Sequence, residues 1–435
     1  MLIEFSIGNF RSFGEIQKFS LVASNYEKNL PDNKIKCSLP GMSGLDYLSA
    51  AAVYGANASG KSNLLLAFNV LCNFVENSFR ADLKFPTCAA PFKLNKSFQK
   101  LPTTFEILFV INNVRYKYNL ALTPEQVINE SLTAYPKGRP QDWYHRKWNE
   151  KNQEYDWSFP NYPVKKGLPQ IAERTRSNVA FLSKSADDKH SQLTNVYNWF
   201  TQKVKRLNFA GGRLIPVYTM EAMKKSQIQH EKVISLLQNA DFDIISGQVN
   251  EKELSDDDIQ NLPPPLLAMF CQTQTKNNKS SFKSLSLSFV HRGNENSVEM
   301  DFEAEESEGT KRYFALLGPW LDVLENGDIL FVDELETCLH PLLLVELIKL
   351  FRSPNNRNGA QLIFTTHNPL LLDETILRHD QIWFTEKQQN GETNLYPLTE
   401  FAPRKGEALV KGYLAGRYGG IPFIPNGLVI NKDNE

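Results

Sequence analysis

Gly55-Ala56-Asn57-Ala58-Ser59-Gly60-Lys61-Ser62 follows a short apolar stretch at residues 48–54 and opens an apolar helical run from Asn63 to about Phe79. The octet satisfies GxxxxGK[ST] in full, in the strand-then-helix setting that this pattern requires. Glycines at 55 and 60 let backbone N–H groups converge on phosphate oxygens without side-chain obstruction, and the helix dipole adds attraction. Lys61 is read as neutralising the β- and γ-phosphates and the Ser62 hydroxyl as a Mg2+ ligand. Asn57, Ser59 and Asn63 complete the nucleotide-binding set. The stretch predicts a nucleoside triphosphate site with Mg2+ as companion ion.

An acidic partner must end an apolar strand if its carboxylate is to face the metal. Ile329-Leu330-Phe331-Val332-Asp333-Glu334 has that form. Asp333 is expected to hold Mg2+ through its water shell, and Glu334 to polarise the attacking water as general base. Acids at a strand end can also serve only to cap the next helix. About 270 residues separate Lys61 from Asp333, long for a compact P-loop domain, so an insertion is expected. GTP is disfavoured: the nearest approach to a guanine-reading Asn-Lys-x-Asp, Asn431-Lys432-Asp433-Asn434, fails at its last position.

Around these two stretches the chain divides by pattern. Alternating apolar residues at 2–7, 16–22 and 105–120 predict strands; in the last, Asn112-Asn113 supplies a tight turn. Residues 123–279 are irregular, with helical stretches near 195–207 and 224–239 and a Pro263-Pro264-Pro265 breaker. Half-buried strands are predicted at 284–289 and 298–304, where the alternating acids read as a solvated face. A helix at 310–325, a strand at 329–332, a helix at 341–351 and a strand at 361–365 indicate a parallel α/β core. The expected organisation is an N-terminal ATPase lobe (1–122), a mainly helical, locally basic insertion (123–279), a C-terminal ATPase lobe (280–400) and a tail packed on the core (401–435). The fold class is α/β, with an antiparallel N-terminal β lobe beside the parallel core.

Across 435 residues, 48 Lys+Arg against 49 Asp+Glu exclude a uniformly basic nucleic-acid coat, though not a local basic face. Residues 137–206 hold fourteen Lys/Arg against seven Asp/Glu, with Trp143, Tyr144, Trp148 and Trp157 interleaved. That face could meet DNA, an acidic partner or only solvent. Cysteines at 37, 72, 88, 271 and 338, with no CxxC pair, predict reduced thiols and no zinc site. The absence of a leader or a span-length apolar run predicts a cytoplasmic protein without membrane contact.

Four further segments carry a resemblance. Asp333-Glu334-Leu335-Glu336-Thr337-Cys338-Leu339-His340-Pro341 and Thr365-Thr366-His367-Asn368-Pro369 resemble the DE…LHP segment and switch-histidine loop of the ABC-type lineage that includes RecF, SMC and overcoming-lysogenization-defect ATPases. Ser307-Glu308-Gly309-Thr310 resembles its abbreviated signature, and Asn9-Phe10-Arg11-Ser12-Phe13 its N-terminal nucleotide-pocket motif. The resemblance implies roles for Arg11, Ser307, Gly309 and His367, and a head-to-tail homodimer with two ATP molecules at its interface. Read without it, His367 is an ordinary loop histidine and Ser307 an N-cap. Relatives often carry Asp and Ser where this chain has Glu336 and Cys338.

More narrowly, residues 1–13, 305–317, 333–343 and 377–387, with 411–422 (Lys-Gly-Tyr-Leu-Ala-Gly-Arg-Tyr-Gly-Gly-Ile-Pro), are similar to RloA-like and AbiL-like ATP-binding proteins of abortive-infection and restriction-linked loci. That similarity implies an anti-phage defence ATPase controlling a separately encoded effector. The alternative is a repair ATPase that clamps DNA, against which stands the lack of a coiled-coil arm. No nuclease activity is expected: nothing after Pro369 assembles a two-metal centre. The 411–422 segment reads equally as a packed turn or as a partner surface.

Overall fold

The computed structural model describes residues 1–80, 88–163, 167–207, 216–240, 242–253, 283–294 and 296–422. The proline breaker at 263–265, Cys271, the 279/280 boundary and the tail beyond 422 lie outside these residues. The chain forms two compact units: Met1–Asn208 with Val323–Thr337 and Leu344–Glu435, and Phe209–Asp322 with Cys338–Leu343.

In chain order the first unit begins β1 (Leu2–Gly8), β2 (Gln17–Ser20), β3 (Lys34–Lys36), β4 (Asp46–Leu48), β5 (Ala50–Gly55) and α1 (Lys61–Asn77). It continues with β6 (Thr103–Ile111), β7 (Val114–Leu122), β8 (Val127–Tyr135), β9 (Gln141–Asn149) and β10 (Glu154–Ser158). Then come α2 (Leu168–Glu173), α3 (Phe181–Asp187), α4 (Ser191–Asn198) and β11 (Val204–Leu207). The second unit holds α5 (Val217–Lys225), α6 (Gln227–Asn239), β12 (Ile244–Glu253), β13 (Lys283–His291) and β14 (Val298–Asp301). The chain proceeds through α7 (Glu308–Asn326), β15 (Ile329–Val332), α8 (Pro341–Lys349), β16 (Gln361–Thr365), β17 (Ile382–Lys387), β18 (Thr393–Pro397) and α9 (Leu409–Leu414).

Two sheets make the first unit. One is antiparallel, in the order β10-β9-β8-β7-β6-β1-β2. The other, β11-β15-β16-β5-β17-β18, is parallel except at β18. Helix α1 lies between them: Phe68 stacks on Phe331 of β15 at 4.1 Å and meets Phe5 of β1 edge-on at 5.1 Å. Its apolar face was legible at helical spacing, and Leu64, Leu65, Phe68, Leu71, Cys72 and Val75 are all buried. A buried amide ties the layers at one end. Gln361 Oε1 accepts the Leu2 N–H at 2.6 Å, while its Nε2 donates to the carbonyls of Leu2 and Leu48.

The Asn112-Asn113 hairpin forms as expected, with φ of 47° and 60° at the two asparagines and Ile111 opposite Val114. Three differences arise in the interval expected to be mainly helical, one of them the ten-residue strand β12 (Ile244–Glu253). Residues 127–158 supply three more antiparallel strands, because β8 buries Val127, Glu130, Leu132 and Ala134 on one face. The helical stretch expected to reach 207 stops earlier, and Val204–Leu207 instead pairs in parallel with β15. Tertiary pairing along an apolar strand outweighs local helix propensity there.

Glu130 is an inward-facing acid within that sheet, and it is fully buried. Its carboxylate accepts from the hydroxyls of Tyr118 (3.1 Å) and Tyr144 (3.0 Å) and from the N–H groups of Phe181 (2.7 Å) and Leu182 (3.1 Å) at the start of α3. Arg146, also fully buried, lies 3.6 Å away, donates to the carbonyls of Val179 and Arg176, and stacks on Tyr155. A buried charge persists only when its lone pairs are filled in this way.

In the second unit α5 and α6 accompany the three-stranded sheet β12-β13-β14. Phe289, Phe302 and Phe314 form its aromatic core, with ring centroids 5.0 to 5.8 Å apart. Among the described residues, no helix is long and apolar enough to cross a membrane. The expected α/β class holds: an antiparallel lobe lies beside a parallel core, with α1 between them.

Candidate functional site

All parallel strands of the core run the same way, so their carboxyl ends share one edge, where ligands of open α/β sheets bind. β5 ends at Gly55, β15 delivers Asp333 and Glu334, and β16 delivers Thr365, Thr366 and His367. Fully buried Ala51, Ala52, Val53 and Tyr54 hold β5 rigid up to the turn.

The 55–62 turn is built around glycines. A Cβ at Gly55 would lie 2.3 Å from Thr385 Oγ1, and one at Gly60, where φ is 113°, would lie 2.3 Å from Thr393 Oγ1. Ser59 is buried and its Oγ lies 2.6 Å from Thr385 Oγ1. Asn57 is exposed. Lys61 is buried, and its Nζ donates to the carbonyls of Gly55 (2.8 Å) and Ala56 (3.0 Å). Burial lowers its pKa, against the pull of Asp333, Glu334 and Glu336. An ammonium folded onto two carbonyls can exchange them for phosphate oxygens at little desolvation cost.

Ser62 and Asp333 meet as expected: the Ser62 hydroxyl donates to Asp333 Oδ1 at 3.2 Å. Two hard oxygen donors beside the glycine-rich turn fit Mg2+, which would take one or two protein ligands and fill its remaining positions with other oxygens. Among the described residues no group of three or more His, Cys, Asp or Glu could hold a metal ion, and Mg2+ in this setting needs none.

Thr365, which the sequence reading did not single out, organises the acids. Its buried hydroxyl donates to Asp333 Oδ1 at 2.5 Å and accepts the Glu334 N–H at 2.8 Å. Glu334 is exposed and takes φ 49°, so its side chain leaves the strand line. His367 is exposed beside it, and its backbone N–H donates to Glu336 Oε1 at 2.5 Å. Its pKa is lowered below 6.5, first by lost solvation and next by Lys61, with Glu336, Glu334 and Asp333 opposing.

Arg11 reaches the site from far away in sequence. It takes φ 50°, its N–H donates to the Ala90 carbonyl, and its exposed side chain lines a cleft of about 220 Å³ with Ser62, Asn63, Leu66, Leu207 and Asp333. Asn9, at φ 49°, braces the same turn by donating to the carbonyls of Phe98 and Leu101.

Ser307 and Gly309 belong to the second unit. Ser307 Oγ accepts the Thr310 N–H at 3.1 Å and bonds Thr310 Oγ1 at 2.8 Å, so it caps α7. Among the described residues, a Cβ added at Gly309 would meet only ordinary contacts of 3.5 and 3.7 Å.

The 411–422 segment is a packed turn. Tyr413 stacks on Phe384 and meets Tyr54 edge-on, Tyr396 donates to the Tyr418 carbonyl at 3.0 Å, and a Cβ at Gly420 would lie 3.5 Å from Gly55 Cα. It therefore backs the phosphate turn.

Part of the basic interval is engaged internally. Trp143, Tyr144 and Arg146 are buried, Lys203 lies 2.8 Å and Lys205 3.7 Å from Asp328, and Arg206 lies 3.1 Å from Glu76. Lys137, Arg139, Lys147, Lys151, Arg174 and Arg176 of the interval are exposed.

The family whose sequence model matches residues 50–373 is described as "AAA domain, putative AbiEii toxin, Type IV TA system". The chain belongs to that AAA-domain family. The matched span contains every expected site residue except Arg11. Among solved structures, the SMC head domain from Thermotoga maritima is similar at 15% identity and a TM-score of 0.40, over 91% of this chain and 98% of that one. An Smc head domain with an extended coiled coil, bound to the C-terminal domain of ScpA from Pyrococcus furiosus, is similar at 11% identity and a TM-score of 0.42, over 92% and 97%. No curated protein matches the chain.

Proposed function

We propose that the chain is a Mg2+-dependent ATPase of the ABC-type class, working in the cytoplasm as the ATP-driven sensor and regulator of an anti-phage, abortive-infection system. One observation carries the catalytic part: Lys61, Ser62, Asp333, Glu334 and His367 converge at the carboxyl edge of one parallel sheet, around a turn that only glycines fit. In this reading the backbone of residues 55–62 and Lys61 bind the phosphates, and Ser62 and Asp333 hold Mg2+, which would neutralise charge on the phosphate oxygens. Glu334 takes the proton of the attacking water, His367 orients that water, and Arg11 flanks the metal side of the cleft.

Ser307 and Gly309 act on nucleotide held by a second copy, giving a head-to-tail homodimer. The steric freedom at Gly309 among the described residues supports this. The defence role is supported by the family description, which names AbiEii toxin and a type IV toxin–antitoxin system, and by the RloA-like and AbiL-like resemblance of both chain ends. The effector is a separately encoded protein. A DNA-clamp reading is the alternative, and exposed Lys137, Arg139, Lys147 and Lys151 of the basic interval are where it would make contact.

The deciding experiment compares wild type, Lys61→Ala and Glu334→Gln. Wild type should hydrolyse ATP, and Lys61→Ala should lose nucleotide binding. Glu334→Gln should bind ATP without turnover and accumulate as a dimer in light scattering. Unchanged turnover in Glu334→Gln would remove the assignment of the base.

A further inference from the structure

Ser59, Gly60 and Asn63 stand in or next to the 55–62 turn, whose peptide planes must be held for its N–H groups to converge. Thr393 and Ser12, 381 residues apart, meet directly beneath it. Thr393 Oγ1 lies 2.8 Å from the Ser59 carbonyl oxygen and 2.8 Å from Ser12 Oγ, and Asn63 Nδ2 lies 2.8 Å from that same Ser12 Oγ. A carbonyl only accepts, so the Thr393 hydroxyl donates to Ser59. The same hydroxyl is the donor toward Ser12 Oγ, to which Asn63 Nδ2 also donates, so Asn63, Ser12, Thr393 and Ser59 form one chain of hydrogen bonds beneath the turn.

The chain is held from outside the turn. The Thr393 N–H donates to the Ser12 carbonyl at 2.7 Å, which locks the start of β18 to the 9–13 turn. Thr393 is 3% exposed, so no water competes for its proton. On the far side of Ser59, its hydroxyl bonds Thr385 Oγ1, and Thr385 donates to the Tyr54 carbonyl at 3.2 Å. Ser59 is thus gripped through both its side chain and its carbonyl.

A trans peptide fixes the consequence. The C=O of Ser59 and the N–H of Gly60 share one plane and point in opposite directions. Pinning the carbonyl onto Thr393 therefore aims the Gly60 N–H away from Thr393, to the side where a phosphate sits in the proposed reading. We infer that Thr393 and Ser12 are positioning residues that pre-set the Gly60 N–H for phosphate binding, so that nucleotide affinity depends on a hairpin some 330 residues downstream of the turn. This inference rests on the proposed nucleotide site. Its mark is selective: a donor aimed at a bound phosphate lowers the dissociation constants of ADP and ATP alike and leaves the hydrolytic acids untouched.

The test is calorimetric titration of Mg2+–ADP and Mg2+–ATPγS into the full-length chain, with steady-state turnover measured alongside. Thr393→Val keeps the shape and removes the proton. It should raise both dissociation constants roughly five- to tenfold, the fold-change of one lost hydrogen bond, and raise KM in step with kcat held within about twofold. Thr393→Ser should restore them. Ser12→Ala should raise both constants about two- to threefold, and its effect should shrink in the Thr393→Val background because the two act through one chain. If Thr393→Val does not fold, Ser12→Ala decides alone. Unchanged dissociation constants in the folded variants, or loss confined to kcat, overturn the inference. Wild type and Lys61→Ala binding nucleotide equally would instead overturn the underlying site.

Discussion

Replacing Thr365 by valine is the sharpest probe of how the acids are held. Valine preserves the branched shape at this fully buried strand end and removes only the hydroxyl. Two bonds vanish with it: the one donated to Asp333 Oδ1 at 2.5 Å and the one accepted from the Glu334 N–H at 2.8 Å. A hydrogen bond to a charged group contributes about 1.5–3 kcal/mol, and an orphaned amide costs about 1–3 kcal/mol. Glu334 sits at φ 49°, a region that costs a non-glycine residue about 1–2 kcal/mol, so without its anchor it has reason to relax. If about 1.4–2.7 kcal/mol of this reaches the transition state, kcat falls roughly ten- to a hundredfold. Nucleotide affinity should hold within about twofold, because Thr365 does not bond the phosphate turn. Phosphate-release kinetics with titration of ATPγS separates the two, and Thr365→Ser should recover turnover. A folded Thr365→Val protein whose kcat stays within about twofold of wild type refutes the reasoning.

Other expectations follow from the same geometry. Glu130→Ala strips four accepted hydrogen bonds and leaves Arg146 buried without its carboxylate, so urea denaturation should show a loss of about 3–5 kcal/mol. A neutral His367 can both donate and accept, and its pKa lies below 6.5. Turnover should therefore be flat near pH 7 and fall along an acid limb below 6.5, and a pH–rate profile of His367→Gln should lack that limb. Gly420→Ala places a side chain at φ 68° and 3.1 Å from the Phe384 ring. It should lower the denaturation midpoint by the equivalent of about 1–2 kcal/mol, and an unchanged midpoint would show that the turn does not brace the core.

What could be read from the chain alone was whatever depends on near neighbours. The 55–62 octet needs only its own glycines, lysine and serine, and the strand and helix on either side follow from local apolar period. The Asp333-Glu334 pair at the end of four apolar residues, and the Asn112-Asn113 turn, are equally local. The strands at 127–158 were missed because Glu130 and Arg146 interrupt the apolar alternation; both are tolerable only because distant partners fill their bonding capacity.

Tertiary structure alone decided the rest, because hydroxyls carry no signature of what they will bond. Thr385 and Thr393 look in sequence like any strand residue, and the motifs that hold Thr365 and Ser12 do not say what their hydroxyls bond, yet folding puts each beneath the phosphate turn or the acids. The basic interval shows the converse. Its charge was plain from composition, but whether Lys203 and Arg206 faced a partner or Asp328 and Glu76 depended on strand pairing across more than a hundred residues. Charge is a property of residues, and its availability is a property of packing.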